Sequence, residues 1–208
     1  MTEYCYDLEF LEDGRTIELI SIGIVGADGS EYYAVSSDMP LERIRRQDWL
    51  VRNVLPSLPL ADRAALDSYI AYPPNVSPRP SLDLVELDWK NVAVKPRWVI
   101  ANEVREFLVG GLSPAGEHKG RPFYFDTDLP KLWANYGAYD HVALCQLWGR
   151  MIDLPEGMPM WTHDIQQALE SAPKGFEPPK QAEGLHNALE DARHNWVVLR
   201  ALRAALDA

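Results

Sequence analysis

Polar and apolar side chains alternate from Glu3 to Glu9 with the two-residue period of a strand. A second strand is predicted over Ile17–Val25, an apolar run rich in β-branched residues. Asp28-Gly29 marks a tight turn into a third strand, Ser30–Ser36. From Pro40 to about Leu55 the period lengthens to that of a helix: Ile44, Leu50 and Val51 are apolar, while Glu42, Arg43, Arg45 and Arg46 form a solvated face. Further helices are predicted over Arg97–Val109, stopped by Gly110-Gly111, over Tyr139–Trp148, from a cap at Thr162 to about Leu169, and over Ala188–Leu206. Short strands are predicted over Pro122–Phe125 and Lys131–Asn135, with loops at Gly111–Gly120 and Ser171–Gly184.

Three antiparallel strands and then a series of strand–helix units predict an α/β fold, a mixed sheet flanked by helices. Between Pro56 and Pro80 the composition shifts to proline, and Tyr72–Pro80 cannot hold a regular ladder or helix. This stretch is expected to be a surface insertion in a single domain spanning 1–208, because the chain beyond Pro80 is too short for two independent cores.

Charge narrows the function. The 208 residues carry 31 acidic and 20 basic side chains, a formal charge of −11. That balance excludes a cationic protein holding nucleic acid by bulk charge, but not an enzyme whose phosphate contacts run through metal ions. A hydrophobic content of 47% with 25% charged residues excludes a wholly disordered or fibrous chain. Cys5 and Cys145 are too few and too far apart for a disulfide framework or a zinc knuckle, and are expected to be small buried thiols. No apolar run approaches the ~20 residues of a membrane span, and the first ten residues carry acids where a signal peptide needs a basic region. A cytoplasmic protein with no membrane partner is the expectation.

Four carboxylates and a histidine carry the chemistry. Asp7 and Glu9 lie two apart on a strand, so both project from one face while Leu8 points to the other. Like charges side by side in a sheet are unfavourable unless a cation neutralises them, although a solvated strand edge shows the same spacing. His186 and Asp191 would lie about 140° apart on one continuous helix. With Asn187 as N-cap and Glu190 completing a box-like pair, they become instead the residue before the cap and the fourth helical position, whose side chains meet. Gly184 just upstream gives the His186 segment freedom to move. Asp140 falls in the first turn of a helix that leaves a strand, where the helix dipole alone would favour an acid. The Asp126/Asp128 pair also has the spacing of two acids on one strand face, but falls in a loop. His141, His163 and His194 have no motif around them and are expected to be structural or superficial.

The order D-x-E, then Y-D-H opening a helix, then H-x-x-x-x-D near the C-terminus resembles the DEDDh 3′–5′ exonuclease family, whose fold is ribonuclease H-like. More narrowly, DLEFLEDG, IELISIGIV, EYYAVS and LWANYGAYDHVALCQLWG resemble the mycobacterial exoribonuclease AS type of that family. The resemblance implies that Asp7, Glu9, Asp140 and Asp191 bind metal and that His186 is the general base. Many members have threonine after the first motif's glutamate, where this chain has Phe10, and asparagine where it has Tyr136, with Asn135 one residue early. Both substitutions match the narrower type.

Two divalent ions about 3.5–4 Å apart can clamp a phosphodiester, one activating water and the other stabilising the leaving oxygen. Carboxylate oxygens select Mg²⁺, with Mn²⁺ as substitute, and an imidazole with a pKa of about 6.5 accepts a proton at neutral pH. The expected partners are RNA 3′ ends, with nucleoside 5′-monophosphates as products; a homo-oligomer such as a dimer is compatible with the sequence. Phe10 and Tyr136 are expected to contact the terminal nucleotide by sequence-tolerant stacking, with Tyr139 more readily a core aromatic. Trp49, Trp148 and Trp196 are expected to be packing residues. Arg43, Arg45, Arg46 and Arg52 are basic candidates for the strand backbone, although a charge run on a helix is usually a solvated face. A DNA exonuclease of the same family and a non-catalytic nucleotide- or nucleic-acid-binding module are the competing readings.

Overall fold

A computed structural model describes residues 2–73, 75–125 and 129–207. Three long strands come first: β1 (Glu3–Glu12), β2 (Ile17–Gly26) and β3 (Glu31–Ser36) form the antiparallel meander expected from their alternation. Next come α1 (Leu41–Ile44), α2 (Asp48–Asn53), a 3-10 turn at Leu55–Ser57, α3 (Ala64–Ala71), β4 (Val94–Lys95) and α4 (Arg97–Val109). The second half contains β5 (Gly116–His118), β6 (Arg121–Phe123), β7 (Lys131–Ala134), α5 (Ala138–Cys145), β8 (His163–Asp164), α6 (Ile165–Leu169) and α7 (Ala188–Leu206).

The main sheet has six strands in the order β4-β3-β2-β1-β7-β8. β7 joins β1 in parallel, and β8 and β4 are parallel edge strands, so the sheet is mixed and compatible with a ribonuclease H-like fold. β5 and β6 make a separate antiparallel hairpin. Among the described residues no helix is long and apolar enough to cross a membrane.

Both faces of the sheet are covered. On one, Tyr4, Tyr6, Leu8, Ile22 and Ile24 pack with Ile100, Val104 and Leu108 of α4 and Ala143 and Leu144 of α5. The four-residue spacing of the α4 positions keeps them on one helical stripe. The other face carries two apolar clusters. Cys5 and Val25 lie beneath Ala192, Trp196 and Leu199 of α7, while Leu11, Ile20 and Val35 lie beneath the α1–α3 layer. Between Glu9 and Phe10 the register slips, pairing Glu9 with Ser21 but Phe10 with Leu19. Ile20 is therefore the extra residue of a β-bulge on β2.

Several expectations are corrected. The helix from Pro40 to Leu55 is two short helices broken at Arg45–Gln47, which lets Ile44, Leu50 and Val51 all reach one core. The proline-rich stretch contains α3, whose Leu66 and Tyr69 are buried in that core, and the described residues of 72–80 hold no helix or strand, as expected. The predicted loop at Gly111–Gly120 includes β5. Asp164 caps α6, accepting from the Gln166 and Gln167 amides, in place of Thr162. Asn187 caps α7 as expected, but its own N–H goes to the Gly184 carbonyl and Glu190 pairs with Arg193, so no reciprocal box forms. The Asp126/Asp128 pair lies outside the described residues.

Candidate active site

The carboxylates of β1 sit in the gap between the two clusters on the α7 face. Asp7 is opposite Gly23 and Glu9 is opposite Ser21. Gly23 is what lets α7 begin there: a Cβ on it would stand 2.3 Å from the Ala188 carbonyl oxygen, so only glycine accepts the first turn at this distance. The helix start thus lies directly over Asp7, and Asp191, one turn in, is brought to the β1 acids.

Asp140 arrives from the strand edge. β7 pairs with β1 only from Glu3 to Cys5, leaving the edge beyond without a ladder partner on that side. Asp140, buried in the first turn of α5, fills this place by accepting the Leu8 N–H at 2.8 Å. Its connection is tied down from β8, where Asp164 accepts the Gly137 N–H at 2.8 Å, and from α6, where the Gln166 amide donates to Asn135 Oδ1 at 2.7 Å.

Electrostatics show how close the four acids are. Burial, and then the charges of Asp140, Glu9 and Asp191, hold the Asp7 carboxyl well above the usual carboxylate range. Burial, and after it Asp191 and Asp140, pushes Glu9 up to about 8. Asp140 is raised to about 6 by burial, with the Leu8 N–H pulling it back. Burial also raises Asp191 against the hydrogen bonds from Gln181 and the His186 amide. None of the ion pairs among the described residues involves these four carboxylates.

His186 meets Asp191 by its backbone N–H, which donates to Asp191 Oδ2 at 2.9 Å, where the cap position predicted a contact between the two side chains. Its backbone is left-handed, φ 62°, a conformation uncommon outside glycine. Ligand atoms of Glu9, His186 and Asp191 all lie within 4.8 Å of one another. Oxygen-rich donors, brought together with Glu9 buried and the others half-buried and with no ion pair to a protein cation among the described residues, fit a hard divalent ion. The tightest group includes the imidazole, whereas the sequence expectation for metal was Asp7, Glu9, Asp140 and Asp191. None of these four lines the apolar cavity between Lys131, Met160, Trp161 and His163 at the β8 edge.

On the other face of β1, Phe10 packs against the α4/α5 cluster and stacks on Tyr139 with centroids 6.3 Å apart. Tyr139 is 54% exposed, which corrects the core role expected for it. Tyr136 is 71% exposed and also left-handed, φ 54°. Trp49, expected to be packing, is 54% exposed and meets the His186 ring edge-on, whereas Trp196 is buried. Three of the four arginine candidates are engaged within the chain: Arg43 with Asp13 and Glu18, Arg45 with Glu42 and Arg52 with Asp48. His141 lies between the Tyr6 hydroxyl and Cys145 Sγ, and His163 stacks on Trp133. Sequence reasoning missed Trp49, Ser57, Asp164 and Gln181, which touch the site through contacts no local pattern signals.

Two proteins named 3′–5′ exoribonuclease, from Mycobacterium tuberculosis strains CDC 1551 / Oshkosh and ATCC 25618 / H37Rv, are each 38% identical to this chain over 206 residues. The matches cover 99% of the chain and 95% of each relative. The chain belongs to their family. No family model matches it. Coverage of this extent carries the family likeness well beyond the short motifs.

Proposed function

We propose that the chain is a metal-dependent 3′–5′ exoribonuclease of the DEDDh type, built as one domain with the proline-rich stretch as an insertion. The observation that carries this reading is the convergence of Asp7, Glu9, Asp140 and Asp191 with His186 in one partly buried acidic cluster. The family relationship to proteins named for this activity supports it.

On this reading Asp7, Glu9, Asp140 and Asp191 hold Mg²⁺, two ions when the site is full, with Mn²⁺ able to replace it. Bound divalent ions supply charge neutralisation of the scissile phosphate and a more acidic attacking water. His186 accepts that water's proton on its imidazole, and Asp191 orients it through the amide bond. The water oxygen bonds to phosphorus as the P–O3′ bond breaks, and the leaving 3′ oxygen takes up a proton from solvent water while His186 later returns its own proton to solvent. A nucleoside 5′-monophosphate departs, and the shortened RNA keeps a 3′-hydroxyl. Phe10, backed by Tyr139, and the projecting Tyr136 stack the terminal base. The free thiols Cys5 and Cys145 suit a reducing cytoplasm.

The test is hydrolysis of single-stranded RNA and DNA of one sequence, each with a free 3′ end, in Mg²⁺, Mn²⁺ and EDTA. RNA should shorten from its 3′ end to 5′-monophosphates in either metal and stay intact in EDTA. Preference for DNA would make the chain a DNA exonuclease. Tight binding with no hydrolysis in either metal would make it a binding module.

A further inference from the structure

The α1–α3 layer reaches the site at the residue before the α7 cap. His186 is held there by three contacts. Its N–H goes to Asp191, its carbonyl oxygen lies 2.9 Å from Ser57 Oγ, and its ring meets the Trp49 indole at 4.8 Å and 75°. The two backbone contacts fix the direction in which the side chain leaves the main chain. The edge-on indole then fixes the plane of the imidazole, because an edge-to-face pair is favourable only over a limited range of orientations. A left-handed non-glycine residue persists only where its surroundings over-determine it, and these three contacts do so.

The indole is not explained by folding. α2 buries Leu50 and Val51 in the core, while Trp49 stands 54% exposed beside them. Ser57 ends the next turn, and its hydroxyl, also 2.8 Å from the Val54 carbonyl, links that turn to the His186 segment across 129 residues. Two side chains from one element pair thus converge on the residue assigned the proton transfer. The hydroxyl's partners are the Val54 and His186 carbonyls, and the indole's contact is the imidazole ring, so both side chains engage His186 and not the carboxylates.

We propose that Trp49 and Ser57 are positioning residues for His186, setting the imidazole where it takes a proton from the attacking water; this rests on the exoribonuclease reading. Their effect passes through His186, so it should appear in turnover and vanish when the imidazole is gone.

The experiment measures kcat and KM on single-stranded RNA in Mn²⁺ for the wild-type chain, Trp49→Ala, Trp49→Phe, Ser57→Ala, His186→Ala and the double variant Trp49→Ala/His186→Ala. Trp49→Ala should lower kcat by about 10–100-fold, as misplacement of a reacting group does, with KM and the Mn²⁺ requirement within about twofold of wild type. Trp49→Phe should recover most of the loss, and Ser57→Ala should lose less than Trp49→Ala. In the His186→Ala background Trp49→Ala should add nothing, the non-additivity of two residues acting as one unit. Unchanged melting temperatures would separate these effects from unfolding. An unimpaired kcat in Trp49→Ala overturns the positioning role, as does an equal loss with and without His186. A raised KM with intact kcat also overturns it and makes Trp49 a substrate platform instead. A His186→Ala variant as active as wild type removes His186 from the proton transfer and overturns this role while the exoribonuclease reading stands, whereas a wild-type chain without RNA hydrolysis overturns that reading and this role with it.

Discussion

The two faces of β1 bury their side chains on different terms. On one, Tyr4, Tyr6 and Leu8 are packed beneath α4 and α5 without a charged neighbour in the cluster. On the other, Cys5 is as fully buried under α7, but two residues further on the same face turns to carboxylate, first Asp7 and then Glu9. The strand and its alternation are the same on both sides. What differs is the cover: α7 begins above Gly23, and the apolar cluster under it does not extend as far as Asp7. Where the apolar cover gives out, a sheet that would otherwise have been core holds negative charge in a protected place. The apolar face supplies stability and the acidic face draws on it.

The largest expected effect separates the two faces by activity. Asp7→Asn should reduce RNA hydrolysis to background while leaving the fold intact, and should raise the melting temperature in EDTA by relieving repulsion among the acids. Leu8→Ala, next door but facing the other way, should do the reverse, losing about 2–5 kcal/mol of stability with turnover per folded molecule retained. Melts and RNA assays on the same preparations read both, and a stability loss in Asp7→Asn with activity kept would erase the distinction.

Proton linkage sharpens the contrast. An unfolded carboxyl titrates near 4, whereas folded Glu9 and Asp140 are held up at about 8 and about 6. Between these limits the two acids bind more protons folded than unfolded, so their contribution to metal-free stability falls as pH rises from about 4 to about 8, while His141 and His163, lowered by burial, contribute in the opposite sense near neutrality. Thermal melts in EDTA across this range should show the fall. Saturating Mn²⁺, which favours the ionised carboxylates, should raise the melting temperature most at the upper end.

Two smaller effects probe the placement of α7. Gly23→Ala should cost about 1–3 kcal/mol by overpacking against the Ala188 backbone, and it should lower activity as well because Asp191 moves with the helix. Asn187→Ala should cost about 1 kcal/mol, the usual loss of an N-cap, with a modest fall in turnover. Chemical denaturation and RNA assays of both variants would detect these losses, and Gly23→Ala with full activity would uncouple the helix start from the site.

Much of this was legible because it is local. Period-two alternation put Asp7 and Glu9 on one face, and the Asn187 cap brought His186 to Asp191 when a continuous helix would have separated them. The fold class came from the same periods. What was not legible is long-range. No pattern near Trp49 says that its ring will meet residue 186, and nothing around Gln181 marks it as the donor to Asp191 at 2.7 Å. Aromatic side chains were misread for a related reason: hydrophobicity favours burial for Tyr139 and Trp49, but both stand exposed, Tyr139 against Phe10 and Trp49 against His186. The broken helix at Arg45–Gln47 shows the limit of periodicity, since 3.6-residue spacing over a short stretch does not register a change of direction.

Gly23 and the helix above it have one more consequence. Asp7 and Glu9 are made well before Asp191 and the turn that carries it. A nascent polypeptide that already holds the two strand acids therefore lacks the closing one until residue 191 has emerged and α7 can dock over Gly23.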